Sequence, residues 1–207
     1  MLEGMEFLEQ AENRESFFRR ISFFFPALDP RYQAIERAYN VAKDEFRKIM
    51  RESGVRYFEH LRAVALILME YLRVRDHRLI IAALLHDIEE DIPSWDDRRV
   101  QLEFGDEVAL LVSWLTKPPE SMFRDAEERD RFYHERFRAA PREVFLIKLA
   151  DRLHNVLTLW SCSPEKRHRK IEETKRYYLP YAERELILYH ELSRALAMLE
   201  RAEEPTP

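Results

Sequence analysis

The sequence predicts an all-α fold with no significant sheet. Apolar residues recur at helical spacing along nearly all of its 207 residues, and no stretch alternates apolar and polar residues for long enough to form a strand. Proline or glycine ends each periodic segment. The three glycines of the chain are too few and too scattered for a Rossmann fingerprint or a glycine-rich phosphate loop. We therefore expect one helical domain with a substantial core.

The expected helices follow in order along the chain. Asp29 is a suitable N-cap and Pro30 suits the first helical position, so a helix is expected from Pro30 to about Met50. The breaks after it are expected at Pro93, Gly105, Pro118–Pro119, Pro141 and Pro164. The periodicity predicts further helices near residues 57–73, 76–90, 95–104, 106–117, 125–139, 142–161 and 165–200.

The chain is divided into three parts in this prediction. Residues 1–28 form a helical and aromatic appendage, residues 29–200 the main domain, and residues 201–207 a polar tail. Five of the thirteen phenylalanines fall within nine positions of the sequence ESFFRRISFFFPALD. We expect this appendage to cover the helical bundle. A self-association surface that gives a homo-oligomer is the alternative.

Charge and composition narrow the choice of partners. A net charge of −5 argues against nucleic acid or an anionic membrane as a partner. The longest apolar run, LIIAALL, is far shorter than a membrane span, and the acidic N-terminus has no signal-peptide pattern. Cys162 is the only cysteine, which excludes an internal disulfide and is typical of a reducing cytosol. We therefore expect a cytoplasmic protein, in which an anionic substrate would need a local basic pocket or a metal.

The sequence AALLHDIEED places one histidine and four acids at the end of an apolar helix. Helical spacing puts four of these residues on one side, namely His86, Asp87, Glu90 and Asp91. Glu89 is expected to point into solvent. Three crowded carboxylates repel one another, and a divalent cation would neutralise them, with the mixed nitrogen and oxygen donors favouring Mn, Fe, Co, Ni or Zn over Ca. An acidic helix end beside a core-edge histidine is the alternative.

Two further polar residues interrupt apolar helices. His60 aligns with the apolar face of its helix, where a lone histidine is often a satisfied core residue. Asp151 interrupts the apolar sequence VFLIKLADRLHNVL, and a buried carboxylate is costly unless it is paired or binds a metal. Its neighbours Lys148 and Arg152 are the alternative partners. Three helices would thus supply four metal ligands, namely His60, His86, Asp87 and Asp151. Coordination positions would be left for water and substrate.

Four stretches between residues 35 and 185 carry a family resemblance: RESGVRYFEH, AALLHDIEED, FGDEVALLVSWLTK and IKLADRLHNVLTL. Together they resemble the HD superfamily of metal-dependent phosphohydrolases, and most closely the hydrolase domain of RelA/SpoT homologues. The resemblance implies an HD-type helical bundle and a small stand-alone alarmone hydrolase. Its reaction would remove the 3′-pyrophosphate of ppGpp or pppGpp, giving GDP or GTP and pyrophosphate. The alternatives are an HD-type phosphohydrolase for deoxynucleotides or other phosphorylated nucleotides, and a non-catalytic nucleotide-binding module.

The resemblance also implies roles for particular residues. One Mn²⁺ per chain would be held by His60, His86, Asp87 and Asp151. The attacking water would be oriented and activated by Glu90 and Asp91. A guanine-nucleotide pocket would be formed by Arg51, Ser53, Asn155 and Thr158, with Tyr178 near the substrate phosphates.

Glu52 departs from the family pattern, which usually has a lysine at this position near the substrate phosphates. A carboxylate there would repel a polyphosphate. The missing positive charge is expected from Arg47, Lys48 or Arg56.

Overall fold

The computed structural model describes residues 2–203, and this part of the chain is helical with no β-sheet. The all-α prediction is confirmed. None of the helices within the described range is long and apolar enough to cross a membrane. The helices are α1 (Arg14–Ser22), α2 (Pro30–Glu45), α3 (Tyr57–Leu66), α4 (His77–Leu85), α5 (Ile88–Asp91), α6 (Asp97–Phe104), α7 (Asp106–Leu115), α8 (Ala126–Arg136), α9 (Arg142–Leu157), α10 (Pro164–Glu173), α11 (Leu179–Glu185) and α12 (Tyr189–Glu203).

Side-chain caps fix where many of these helices begin. Asp29 accepts a hydrogen bond from the backbone N–H of Arg31 at 2.8 Å and precedes Pro30, as the sequence predicts. Each such cap satisfies a backbone donor that the first helical turn leaves free. The same device starts α1, α4, α6, α8 and α10, with the caps Asn13, Asp76, Asp96, Asp125 and Ser163.

Three packed helices, α3, α4 and α9, form the centre of the molecule. All residues from Leu79 to Leu85 in α4 are buried, so this helix is apolar on every side. In α9 the buried face includes three charged residues, Lys148, Asp151 and Arg152. Charges are rarely buried without partners, so the crossing of these helices is where a polar site is expected.

Two expected helices are interrupted in the structure. The helix expected over 76–90 ends at Leu85, and α5 is a separate turn, because Asp87 has non-helical angles of φ −106° and ψ 5°. The helix expected over 165–200 contains a π-helical turn at Thr174–Tyr178 and a break between α11 and α12. Leu186 and Leu188 have positive φ at that break, which buries Ile187 and Leu188 while Leu186 stays exposed. An apolar run at helical spacing does not distinguish this turn from a continuous helix.

The N-terminal segment packs into the same core as the rest of the chain. Phe17 and Phe25 are buried, whereas Phe23 is 79% exposed. Arg62 of α3 donates a hydrogen bond to the backbone oxygen of Glu12 at 2.6 Å, which ties the segment to the central helices. This is the covering role expected for residues 1–28; the division into an appendage, a main domain and a tail stays a prediction, and most of the tail lies outside the described residues.

Substituting Phe17 with alanine is expected to lower the free energy of unfolding by about 3–5 kcal/mol, because its ring is fully buried in the core. Phe23→Ala in the same segment is the matched control and should change stability by less than about 0.5 kcal/mol. Urea unfolding followed by circular dichroism measures both. Equal effects of the two substitutions would contradict an integrated N-terminal segment.

Candidate metal centre and adjoining cavity

Three helices bring histidine and aspartate side chains together. His60 lies on α3, His86 follows the last turn of α4, and Asp151 is in the middle of α9. One ligand atom from each of these three buried residues lies within 4.8 Å of the other two. The Nε2 atom of His60 is 3.2 Å from Asp151 Oδ1, and that of His86 is 3.1 Å from Asp87 Oδ2. The four residues that the sequence singles out as ligands therefore converge.

The outward nitrogen of each histidine is already engaged. The Nδ1–H of His86 faces the backbone oxygen of Ala83 at 2.8 Å, and Nδ1 of His60 lies 2.8 Å from Nδ1 of His154. Both Nε2 atoms are buried and have no hydrogen-bond partner, even though carboxylate oxygens are close. Two buried imidazole lone pairs and two carboxylates that point to one centre are the donor set of a divalent transition metal.

The two aspartates are held in place by neighbouring donors. Tyr57 donates its hydroxyl proton to Asp87 Oδ2 at 2.6 Å, and the Asn155 amide donates to Asp151 Oδ1 at 2.6 Å. Lys148 forms an ion pair with the other oxygen of Asp151 at 3.0 Å. The ion pair with Lys148, which was the alternative to metal binding by Asp151, therefore forms. It still leaves Oδ1 of Asp151 directed at the histidines. Such outer contacts orient metal ligands.

Electrostatics favour a cation at this centre. Burial alone would lower the pKa of His86, but the charges of Asp87 and Asp151 outweigh it and raise this pKa to about 10. In the metal-free protein a proton on His86 therefore balances the carboxylates. A divalent cation would replace that proton, so metal binding should release it.

The acidic residues after Asp87 lie on the separate turn α5. Burial, followed by the charge of Asp87, raises the pKa of Glu90 to about 7 and that of Asp91 to about 6, although part of each side chain is exposed. Glu90 Oε1 accepts a hydrogen bond from the backbone N–H of Lys117 at 2.6 Å. Carboxylates with pKa values near neutrality are suited to taking a proton from water.

The expectation that Glu89 is a solvated surface acid is wrong. Its side chain is half-buried, and Oε1 is buried without a hydrogen-bond partner. Burial, with a contribution from Asp97, raises the pKa of Glu89 to about 7. The reason is the break at Asp87, which rotates α5 relative to a continuation of α4.

Replacing Glu90 with glutamine should stabilise the metal-free protein at pH 8 and leave it nearly unchanged at pH 4. The folded protein holds the carboxyl proton up to about pH 7, against an ordinary pKa of 4.5, so stability falls as pH rises through this window. Glutamine removes that loss. Thermal unfolding at both pH values measures the effect, with Glu183→Gln at an exposed position of α11 as the control. An equal shift at both pH values would contradict it.

A cavity of about 360 Å³ adjoins the cluster. Its wall includes Tyr57 and Asn155, which donate hydrogen bonds to the candidate ligands Asp87 and Asp151. It also includes Asp91, four residues after Asp87. Arg51 spans this wall, donating from Nη2 to Asn155 Oδ1 at 2.9 Å and to Thr158 Oγ1 at 3.0 Å. Three of the residues expected in a nucleotide pocket are therefore in contact with one another.

Two residues expected at the substrate, Ser53 and Tyr178, do not line the first cavity. Ser53 is exposed and lines a second cavity of about 420 Å³, which shares Arg51 and Thr158 with the first. Tyr178 is fully buried, and the guanidinium of Arg152 covers its ring at 3.8 Å from the ring centre. Tyr178 therefore does not line the first cavity, and Arg152 occupies the wall in its place.

The basic residues of the cavity also differ from those expected. The wall contains Arg51, Arg152, Lys166 and Lys170. The three cations proposed from the sequence to offset Glu52 are not part of it; they are Arg47, Lys48 and Arg56. Lys166 instead forms an ion pair with Glu52 directly. This pair joins residues more than a hundred positions apart, which local sequence spacing does not reveal.

His154 has a role that the sequence alone does not assign. Burial lowers its pKa well below the ordinary value, so the ring is neutral and its Nδ1 can accept a hydrogen bond from Nδ1–H of His60. That hydrogen bond keeps the lone pair of His60 on Nε2, which faces the cluster. The only signal in the sequence is the position of His154 one turn after Asp151.

His154→Ala is expected to weaken the binding of a divalent cation by about 10- to 100-fold, because His60 loses the acceptor that fixes its tautomer. Calorimetric titration of the metal-free protein measures this affinity. His190→Ala, at an exposed position of α12, is the matched control. His154→Gln keeps an acceptor and should recover part of the loss; an affinity unchanged in His154→Ala would contradict the role.

The fold is all-α, and two histidines and two aspartates from its central helices converge as candidate ligands of a metal ion. The comparison with known protein families agrees with this architecture. A family model described as HD domain matches residues 38–187. The chain therefore belongs to the HD-domain family. It is similar to the bifunctional (p)ppGpp synthase/hydrolase SpoT of Escherichia coli, with 39% identity over 176 residues, or 82% of this chain. This confirms the resemblance to RelA/SpoT homologues.

Other relatives share the same region. A guanosine-3′,5′-bis(diphosphate) 3′-pyrophosphohydrolase of Aquifex aeolicus is 38% identical over 73% of this chain, and a GTP pyrophosphokinase of Streptomyces coelicolor is 40% identical over 72%. The chain spans only 24%, 21% and 18% of the length of these three relatives. A solved structure of a metazoan SpoT ortholog has the same fold, with a TM-score of 0.68, 24% identity, and coverage of 80% of this chain and 94% of that one.

Proposed function

We propose that this protein is a metal-dependent phosphohydrolase that removes the 3′-pyrophosphate of ppGpp or pppGpp. The products would be GDP or GTP and pyrophosphate. The observation that carries the proposal is the convergence of His60, His86, Asp87 and Asp151 beside a cavity whose wall contains arginine and lysine side chains. Relatives named for this hydrolysis support the choice of substrate.

The donor set fits one divalent cation, and we propose Mn²⁺ as the ion. Nε2 of both histidines and the carboxylates of Asp87 and Asp151 would hold it. When bound, the cation supplies a Lewis acid that withdraws charge from a phosphoryl oxygen. Titration with Mn²⁺, Mg²⁺, Zn²⁺ and Ca²⁺ would identify the preferred metal, and nitrogen donors argue against Ca²⁺.

The residues around the centre would handle the proton and the substrate. Asp91, which lines the cavity, and Glu90 would take a proton from the attacking water as its oxygen bonds to the 3′ phosphorus. The bond from that phosphorus to the ribose O3′ then breaks, and O3′ takes up a proton. Arg51, whose buried Nη1 has no hydrogen-bond partner, would bind the nucleotide through its planar guanidinium.

One assay tests this function. Purified protein with Mn²⁺ would be given ppGpp, pppGpp, NADPH and a panel of deoxynucleotides, and the release of pyrophosphate or phosphate measured. We expect pyrophosphate from the two alarmones. Intact alarmones together with cleaved deoxynucleotides would favour the alternative HD-type phosphohydrolase, and no hydrolysis by metal-loaded protein would favour a non-catalytic module. Cytoplasmic location and a homo-oligomer remain predictions.

A further inference from the structure

The Glu52–Lys166 pair lies in the wall of the cavity that adjoins the metal centre. The ion pair keeps the pKa of Glu52 below its ordinary value, so the carboxylate is charged at neutral pH. Both side chains are partly exposed, with 49% of Glu52 and 36% of Lys166 accessible. The same wall includes Asp91 and Asn155 next to the metal ligands, so one bound nucleotide would contact both regions.

The cations of this wall are mostly neutralised by protein carboxylates. Lys166 pairs with Glu52, while Arg152 and Lys170 both pair with Glu173, at 2.9 and 2.6 Å. Within residues 2–203, Arg51 is the cation of this wall that has no carboxylate partner within 4 Å; its bonds go to neutral oxygens. A polyphosphate that enters the cavity therefore meets little unbalanced positive charge.

The position of the 5′-phosphates follows from the proposed reaction. If the 3′-pyrophosphate lies at the metal centre, the 5′-phosphate chain must occupy another part of the cavity. Lys166 and Lys170 are the lysines of that wall, and a phosphate chain directed to them approaches the Glu52 carboxylate. Each additional phosphate adds negative charge near a carboxylate that is only partly screened by water.

We propose that Glu52 sets the preference among alarmones. By neutralising Lys166 with its own negative charge, it makes the site favour nucleotides with a short 5′-phosphate chain and disfavour pppGpp. This inference rests on the proposed function and refines its substrate class. Discrimination of this kind comes from a repulsive contact with the wrong ligand rather than from an added contact with the right one.

The test compares kcat/KM for pGpp, ppGpp and pppGpp in wild type, Glu52→Gln and Glu52→Lys. We expect the preference of ppGpp over pppGpp to shrink by about three- to tenfold in Glu52→Gln, and further in Glu52→Lys, from the Coulomb energy of one added phosphate. The shift should weaken at high salt. Glu183→Gln and Glu183→Lys, at an exposed position of α11, make the same changes in net charge and should not alter the ratio.

A second pair of variants tests the part played by Lys166. Lys166→Gln should widen the preference for ppGpp over pppGpp, because it leaves the Glu52 carboxylate without its partner, and should cancel the gain of Glu52→Gln in the double variant. Substrate ratios that are unchanged in both Glu52 variants would overturn the inference while leaving the hydrolase function intact. A wild-type protein that cleaves none of the three nucleotides would refute the function and the inference with it.

Discussion

Asp151→Asn should abolish metal binding and hydrolysis together. Its Oδ1 atom lies 3.2 Å from Nε2 of His60 and 3.7 Å from Nε2 of His86, so this oxygen is shared by both histidines. The amide has a similar shape but no negative charge to offer a cation. Changes in the outer layer around a metal cost about 10- to 100-fold in affinity, and loss of a ligand should cost at least as much.

Calorimetric titration with Mn²⁺ and a pyrophosphate-release assay would measure the two losses in one preparation. Asparagine is preferred to alanine because Lys148 is buried against Asp151 and would otherwise have no acceptor there. Asp130→Asn is the control; that carboxylate pairs with Lys117 at 3.1 Å and lies outside the cluster. Folded Asp151→Asn protein that still binds Mn²⁺ with wild-type affinity would show that Asp151 is not a ligand.

The double variant Glu90→Ala/Asp91→Ala should lose turnover and keep its metal. Within residues 2–203, neither carboxylate lies within 4 Å of Nε2 of His60 or His86, as Asp87 and Asp151 do, and both have pKa values raised toward neutrality. Loss of a general base typically lowers the rate by about 10²- to 10⁴-fold. The two single variants would show whether one carboxylate substitutes for the other.

Metal content by mass spectrometry and kcat on ppGpp separate the two possible roles. Glu89→Gln is the matched control in the same turn; it removes a half-buried acid that does not line the cavity and should leave kcat within about twofold, as for changes away from reacting groups. Loss of bound metal in the double variant would reassign Glu90 or Asp91 as a ligand. Unchanged turnover would exclude both residues from proton transfer.

The convergence of these four side chains was predictable because each of them interrupts a local pattern. His60 and Asp151 are polar residues within apolar helical runs, and His86 and Asp87 end another one. A polar residue in the core needs a partner, and the three interruptions can satisfy one another. The conclusion needs no helix boundary to be exact, which is why it holds although α4 ends at Leu85.

The contacts that were missed depend on tertiary geometry or on backbone angles. The predicted orientation of Glu89 assumed a continuous helix. That prediction was wrong because Asp87 has non-helical backbone angles. His154 was visible as a residue near Asp151, but its bond to His60 joins two helices. The pair between Glu52 and Lys166 likewise depends on how α10 packs beside the loop before α3, and no periodicity encodes that placement.

The bond between Arg62 and Glu12 has a consequence for how the molecule opens. Arg62 lies two residues after His60, so the helix that carries this ligand is fastened to the N-terminal segment by a buried guanidinium. Segments linked in this way tend to exchange their amide hydrogens as one cooperative unit. A cation held through His60 would then slow amide exchange in residues 12–22 as well. Exchange rates in this N-terminal segment would therefore indicate whether the metal site is occupied, although the segment contains none of the ligands.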